Sequence, residues 1–304
     1  MASRYRSDRG DITLLEPGSK QMVAHHSLEA RNRSLWAEVE GERIHYQKAG
    51  SGPSLLLIHG LLGGSFSWRF NVADLGVRRT IYVLDLPGQG VSDAPSRTDC
   101  GMRAQARRIS QFMDANELSE VDVAASSWGG AIALLLAAYD ARVRSLVLAA
   151  PVNPWSAFGR DRVRFFSSRL GALTIRLGLP LSGRLQRASV QQMYGDPARI
   201  RPGTMEGYSA LLRRRGRAAN LINIMRCWEH DLTALAEAIP RVQASTLLIW
   251  GSRDGAVDPR SAEPLRRSLP SCRLEILPGV GHLPFEECPE VFNRLVLDFI
   301  ERPT

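Results

Sequence analysis

Six short runs of nearly uninterrupted apolar residues, at 55–58, 80–84, 121–125, 143–150, 246–250 and 274–277, restrict what this 304-residue chain can fold into more than any other feature. A strand with one face in water alternates apolar and polar residues. A run without alternation has both faces covered, as in a parallel strand flanked by helices. Helical spacing fills the intervals: Met102, Ala106, Ile109 and Met113 recur along one face, as do Phe292, Leu295 and Phe299. The second of these helices is expected to begin at Pro289, whose missing N–H costs nothing in a first turn, with Glu290 suited to the positive end of the dipole. Alternating strand and helix predicts an α/β fold with a mostly parallel, doubly wound sheet. Ahead of it, the alternation in WAEVEGERIHYQKAG about Glu40-Gly41-Glu42 predicts an antiparallel hairpin from Trp36 onward. Residues 1–35 have little periodicity and are expected to form a mobile arm.

The alternation stops between Val152 and about Thr233. That stretch is rich in Arg, Leu, Gly and Phe, has no strand-like run, and is broken at Pro180, Gly183, Gly195-Asp196-Pro197 and Pro202-Gly203. A helical insertion is expected there, placed as a lid over the carboxyl edge of the sheet, where open α/β sheets hold their ligands.

Composition narrows the partners. The 39 Lys and Arg outnumber the 31 Asp and Glu, but the basic side chains are nearly all dispersed arginines, with no reading motif for nucleic acid. No apolar run approaches the roughly 20 residues of a membrane span, and 131–139 reads as a buried core helix, so stable membrane insertion is not expected. The Arg-rich start is not followed by the apolar stretch of a secretory signal. Cys100, Cys227, Cys272 and Cys288 are widely spaced, without a Cys-x-x-Cys pair, which suggests neither a zinc site nor a disulfide framework. A cytoplasmic protein with reduced thiols is the resulting expectation.

The chemistry gathers at the ends of the apolar runs. VDVAASSWGG, at 121–130, leads into the helical AIALLLAAY. A strand entering a helix through a tight turn holds a serine at the crest when the residues two before and two after are small, because the backbones nearly touch there. Ala125 and Gly129 meet this demand for Ser127, whereas Ser126 is followed at that distance by bulky Trp128 and is the weaker candidate. A serine at a helix start also serves as an ordinary N-cap. The turn His59-Gly60-Leu61-Leu62-Gly63-Gly64 can aim the Leu61 amide at a developing oxyanion, with the Trp128 amide as second donor. His59 itself is expected to brace the loop. A serine hydroxyl needs a base, and the base an orienting carboxylate. His282 follows the last apolar run in a loop from which it can reach the sheet edge. Asp254, in Gly251-Ser252-Arg253-Asp254, lies nearer its strand end than Asp258, which precedes Pro259 and is expected to start a helix.

The order Ser127, Asp254, His282, together with HGLLGGSFSW, DLPGQGVSD, ASSWGG, WGSRD and GVGHLPFEECPE in series, resembles the α/β-hydrolase fold superfamily across 36–302. The resemblance implies Ser127 as nucleophile, His282 as base, Asp254 as acid, and the Leu61 and Trp128 amides as oxyanion donors. It also implies a core of 36–151 and 234–304 with 152–233 as a variable cap. Ala125 stands where the family commonly has Gly, and Ser126 where it has His. Serine rather than aspartate at the crest argues against the haloalkane dehalogenase and epoxide hydrolase branches, which form an alkyl ester on a carboxylate. Hydrolysis of a small-molecule carboxylic ester or related acyl bond remains, with no metal or organic cofactor required. C–C bond hydrolases, acyl-thioesterases, proline iminopeptidases and perhydrolases share the triad, and a non-catalytic ligand-binding protein of the same fold is the alternative of a different class.

In the insertion, Trp155, Phe158, Phe165, Phe166, Leu170, Leu177, Met193, Tyr208, Met225 and Trp228 are candidates both for lining an apolar pocket and for packing against the core. Phe66 and Trp68 are expected to pack. Arg213, Arg214, Arg215 and Arg217 read as a solvated helix face, with reception of an acidic substrate as the alternative.

Overall fold

The computed structural model describes residues 33–94, 99–178 and 183–302. The chain opens with strands β1 (Arg33–Val39) and β2 (Glu42–Gly50), paired antiparallel. Their two-residue link has φ +53° at Glu40 and +75° at Gly41, the left-handed pair whose twist suits a tight hairpin. Thus 33–35 of the expected arm already belong to a strand, and 1–32 lie outside the described residues.

The apolar runs become β3 (Ser54–Ile58), β4 (Thr80–Leu84), β5 (Val121–Ser126), β6 (Val143–Ala149), β7 (Ser245–Gly251) and β8 (Cys272–Leu277). The eight strands form one sheet in the order β1-β2-β4-β3-β5-β6-β7-β8, antiparallel at β1-β2 and β2-β4 and parallel from β4 onward. Both faces of the central strands are dry. Leu56 and Ile58 of β3, with Val121, Val123 and Ala125 of β5, enter one apolar cluster, while Leu55, Leu57 and Ala124 enter the other. Continuous apolar runs are the consequence, because neither face meets water. At the edge, β8 departs from this expectation: it is only partly buried, with Ile276 44% exposed.

Short α1 (Val72–Leu75) follows β3, α2 (Met102–Ala115) precedes β5 and α3 (Ser127–Tyr139) follows it. Residues Trp128–Leu136 of α3 are all buried, which explains its lack of a polar face. The insertion holds α4 (Arg160–Ser167), α5 (Arg169–Gly178), α6 (Gly183–Met193), α7 (Thr204–Leu212) and α8 (Arg217–Ala238). The last helix runs past the expected boundary at 233, since Leu232, Leu235 and Ala238 are buried in the main apolar cluster and hold it helical up to Ile239-Pro240. Then come α9 (Ala262–Ser268), α10 (Pro284–Glu287) and α11 (Pro289–Glu301), the last beginning at its proline.

From β3 the chain crosses to β4 on one side and returns to β5 on the other. The carboxyl ends of β3 and β5 therefore flank a switch point, where an open α/β sheet leaves a crevice.

Candidate active site

Ser127 occupies the junction of β5 and α3 with φ +52°, a left-handed conformation that costs a non-glycine residue on the order of 1–3 kcal/mol. The surroundings enforce it. A Cβ at Gly129 would run into the carbonyl oxygen of His59, one at Gly130 into the Pro151 ring, and one at Gly60 would approach the Ser127 Cβ to 3.0 Å. Small residues are needed because the turn is wedged between the β3 loop and the segment after β6. Ser126 remains in extended backbone at φ −123° as the last residue of β5.

The glycine turn after β3 is built around His59, which is fully buried. Its Nε2 accepts from the Leu86 amide at 3.0 Å, so the proton sits on Nδ1, which donates to the Gly60 carbonyl at 2.7 Å. Burial pushes its pKa down, keeping the ring neutral in this bracing role. Leu62, at φ +62°, donates its amide to Gln89 Oε1 at 2.8 Å. Leu61, just before it, lines the same cavity as Ser127 and Trp128. The Trp128 amide lies in the first turn of α3, where N–H groups have no intrahelical carbonyl.

His282 and Asp254 meet across the ends of β7 and β8. His282 Nδ1 donates to Asp254 Oδ2 at 2.8 Å, and Asp254 Oδ1 accepts the amides of Ala256 at 2.7 Å and Val257 at 3.0 Å. A carboxylate only accepts, so Nδ1 carries a proton, and Nε2 is the ring nitrogen not bonded to Asp254. His282 lines the cavity with Ser127. Asp258 is elsewhere employed: it caps the turn Pro259–Ser261 through the Arg260 amide and pairs with the Arg260 guanidinium at 2.8 Å.

Sequence reasoning missed the groups that fix the histidine loop. The His282 amide donates to the Met193 carbonyl at 2.6 Å, joining the loop to the end of α6. Glu287, nearly buried, accepts from the amides of Gly281 at 2.8 Å and Gly195 at 3.0 Å, and pairs with Arg199 at 3.2 Å. Glu286, fully buried, accepts from the Arg69 guanidinium at 2.8 Å, the Tyr194 hydroxyl at 2.7 Å and the Tyr208 hydroxyl. Burial and the Glu286 charge push the Tyr208 phenol well above its ordinary value. The two glutamates follow His282 closely in sequence, but their partners stand up to 217 positions away, so nothing local marks them.

A cavity of about 680 Å³ joins these groups. Phe158, Phe166, Met193, Tyr208, Met225 and Trp228 of the insertion wall it. Trp155, Phe165, Leu170 and Leu177 do not; they stand 42%, 45%, 65% and 61% exposed. Trp68 is fully buried and packs on Phe285, while Phe66 packs edge-on against Tyr208. Arg213, Arg214 and Arg215 are exposed. Arg217 is buried instead, donating to the carbonyls of Gly88 and, at 2.7 Å, Gly90, and burial lowers its pKa to about 10. Among the described residues no cluster of His, Cys, Asp or Glu is placed to hold a metal ion, and no helix is long and apolar enough to cross a membrane.

Comparison with known proteins agrees with this architecture. The chain is 30% identical to haloalkane dehalogenase 2 of Mycobacterium bovis over 285 residues, 88% of this chain and 94% of that one. Among solved structures, a bacterial membrane phospholipase A superposes with a TM-score of 0.75 at 26% identity, covering 93% of this chain and 89% of the other. The enol-lactonase of Burkholderia xenovorans shares the fold, with a TM-score of 0.76 at 20% identity over 88% of this chain and all of the other. A model of the α/β hydrolase fold matches residues 53–289, from the first parallel strand to the start of the last helix, and the chain belongs to that family of hydrolases.

Proposed function

We propose that the protein is a serine hydrolase of carboxylic esters, with Ser127, His282 and Asp254 as its triad. The reading rests on one observation: Ser127, raised on a left-handed turn, lines the same apolar-walled cavity as His282, whose Nδ1 is held by Asp254 at 2.8 Å. The Ser127 Oγ attacks the ester carbonyl carbon while its proton passes to His282 Nε2. The carbonyl π pair moves onto oxygen, which the Leu61 and Trp128 amides stabilise; each such donor is worth about 3 kcal/mol in the transition state. The intermediate collapses, the C–O bond breaks, and the alcohol leaves with the proton from His282. Water then repeats the sequence on the acyl-enzyme, His282 taking its proton, and the acid departs. Asp254 stays ionised, orienting the imidazole and stabilising its cationic form.

The apolar walls favour an acyl group of hydrocarbon character. The helices between β6 and β7 act in this reading as the cap that closes the site and excludes water. The dehalogenase relative names a different bond, but the crest here carries a hydroxyl, which suits acyl transfer rather than an alkyl ester on a carboxylate. A fluorophosphonate probe with peptide mapping, beside a panel of p-nitrophenyl esters of rising chain length, tests the proposal. A covalent adduct on Ser127 with ester turnover is expected; a folded protein that forms no adduct overturns it.

A further inference from the structure

The exposed apolar side chains of the insertion have a distribution that, Phe158 at the cavity mouth apart, neither the core nor the cavity explains. Trp155, Phe158, Phe165, Leu170, Leu173 and Leu177 are each 41–65% exposed and fall within a stretch of 23 residues. Helix α5 is the clearest case. Its buried face carries Ala172 and Ile175, while Leu170, Leu173 and Leu177 recur at i, i+3 and i+7 as a second apolar stripe facing water. Soluble surfaces scatter such residues singly, so a grouped set marks something that covers it.

The charges around the stripe select the cover. The stretch 155–177 carries Arg160, Arg162, Arg164, Arg169 and Arg176 against one acid of its own, Asp161, with Glu229 reaching in from α8. Arg164 pairs weakly with Asp161 at 3.5 Å and Glu229 at 3.9 Å, and Arg160 donates to the carbonyls of Ser156 and Pro154. Arg162, Arg169 and Arg176 have no carboxylate partner among the described residues. A second copy docking through the same face would set arginines against arginines, which an isologous contact disfavours. Protruding Leu, Phe and Trp bordered by arginine match instead an interface of anionic headgroups over hydrocarbon. The cavity reaches the surface at the same place, since Phe158 and Arg162 line it while themselves exposed.

We propose that the α4–α5 face docks peripherally on an anionic phospholipid surface, with the arginines at the headgroups, the leucine stripe in the acyl boundary and the cavity mouth turned toward the lipid. This attachment stands apart from the chemistry at Ser127, because it is read as binding without turnover.

The test is co-sedimentation of the full chain with vesicles of phosphatidylglycerol and phosphatidylcholine in equal parts, against vesicles of phosphatidylcholine alone. The variants are Leu170→Ser/Leu173→Ser/Leu177→Ser and Arg169→Glu/Arg176→Glu. None of these side chains lines the cavity, so both variants should hydrolyse a soluble short-chain ester at the wild-type rate. The wild type is expected to partition at least about tenfold more strongly onto the anionic vesicles. The leucine variant should lose about tenfold or more of that binding, and the arginine variant its preference for the anionic surface. Equal partition onto both vesicle types, or binding unchanged in both variants, overturns the proposal. So does a wild-type dimer in analytical ultracentrifugation that the leucine variant turns into a monomer, since a second copy would then be the cover.

Discussion

His282 with Asp254 and His45 with Asp85 are near copies as pairs. Each has Nδ1 at 2.8 Å from a carboxylate oxygen, and in each both side chains are buried. In each the carboxylate is also held by two backbone amides: Ala256 and Val257 for Asp254, Ser65 and Val91 for Asp85. His45 even has a serine, with its Nε2 at 2.7 Å from Ser34 Oγ. What separates them is the serine. Ser34 lies in the extended edge strand β1, paired opposite Gln47, exposed and outside the cavity. Ser127 sits on a left-handed turn among glycines and lines the cavity together with His282. A hydrogen-bonded Ser–His–Asp series costs a protein little to form; in the proposed function it is the crest, the oxyanion donors and the enclosed wall that would give the Ser127 set its chemistry.

Breaking each series in turn should expose that difference. Ser127→Ala is expected to lower ester turnover by about 10⁴-fold or more while leaving stability within about 1 kcal/mol, since alanine inherits the same backbone strain. Ser34→Ala should leave kcat/KM within about twofold. Steady-state kinetics with probe labelling checks both, and a large loss in the Ser34 variant would erase the distinction. At the carboxylates the contrast moves from rate to stability. Asp254→Asn presents the wrong imidazole tautomer and should cost about 10³–10⁴-fold in kcat. Asp85→Asn should cost about 3 kcal/mol of stability instead, because it breaks a buried pair that ties β2 to the loop after β4 and the turn at Ser65. Burial raises the Asp85 carboxyl, but the hydrogen bond to His45 and the Val91 and Ser65 amides oppose it, and the group is held below its ordinary value. Its contribution is therefore present at neutral pH and lost as pH falls through the lowered folded value. The stability gap between wild type and variant in denaturant melts should be widest at neutral pH and narrow only as the pH is taken below the ordinary carboxylate range.

The two sets also differ in how openly the sequence shows them. The strands are legible because their runs answer a local demand, two dry faces, and the position of Ser127 follows from a demand equally local, small neighbours at Ala125 and Gly129. Asp254 and His282 stand just past the ends of β7 and β8, so strand boundaries alone place them side by side. Ser34 and Asp85 carry no such signal, being 51 residues apart and joined through pairing of β2 with β4. The same holds for Glu287, whose partners Gly195 and Arg199 arrive from the insertion. The insertion is legible as helical, but not in which apolar residues it buries: Met193 and Leu177 look alike in sequence, and packing alone turns one inward. The end of α8 at Ala238 is hidden for a related reason, since burial of Leu235 and Ala238 against the core decides it.

Glu287 supplies a smaller effect. Glu287→Gln keeps one acceptor oxygen but loses the charge that the Gly281 amide and Arg199 share. A looser histidine loop should lower kcat about tenfold with KM little changed, because the group positions His282 and does not touch substrate. A rise in KM with kcat unchanged would instead assign Glu287 to the pocket wall.

The smallest expected effect compares Asp85 with a carboxylate of opposite sign. Asp231, on α8, is buried but accepts from the Met102 amide at 3.0 Å, at the start of α2, without the histidine and second amide that Asp85 enjoys. Burial dominates and pushes its pKa up to about 6. The folded protein thus holds a proton that the unfolded chain has already released, so stability falls as pH rises from about 4 to 6 and the penalty persists above. Asp231→Asn removes the charge and retains an acceptor for Met102. It should stabilise by about 1–2 kcal/mol at pH 8 and by almost nothing at pH 4, the reverse of the pH trend at Asp85. Melts of wild type and variant across that range decide the matter. A variant destabilised at every pH would mean that the ionised carboxylate is an asset to the α2 start, and that donor count alone does not set the sign of a buried aspartate.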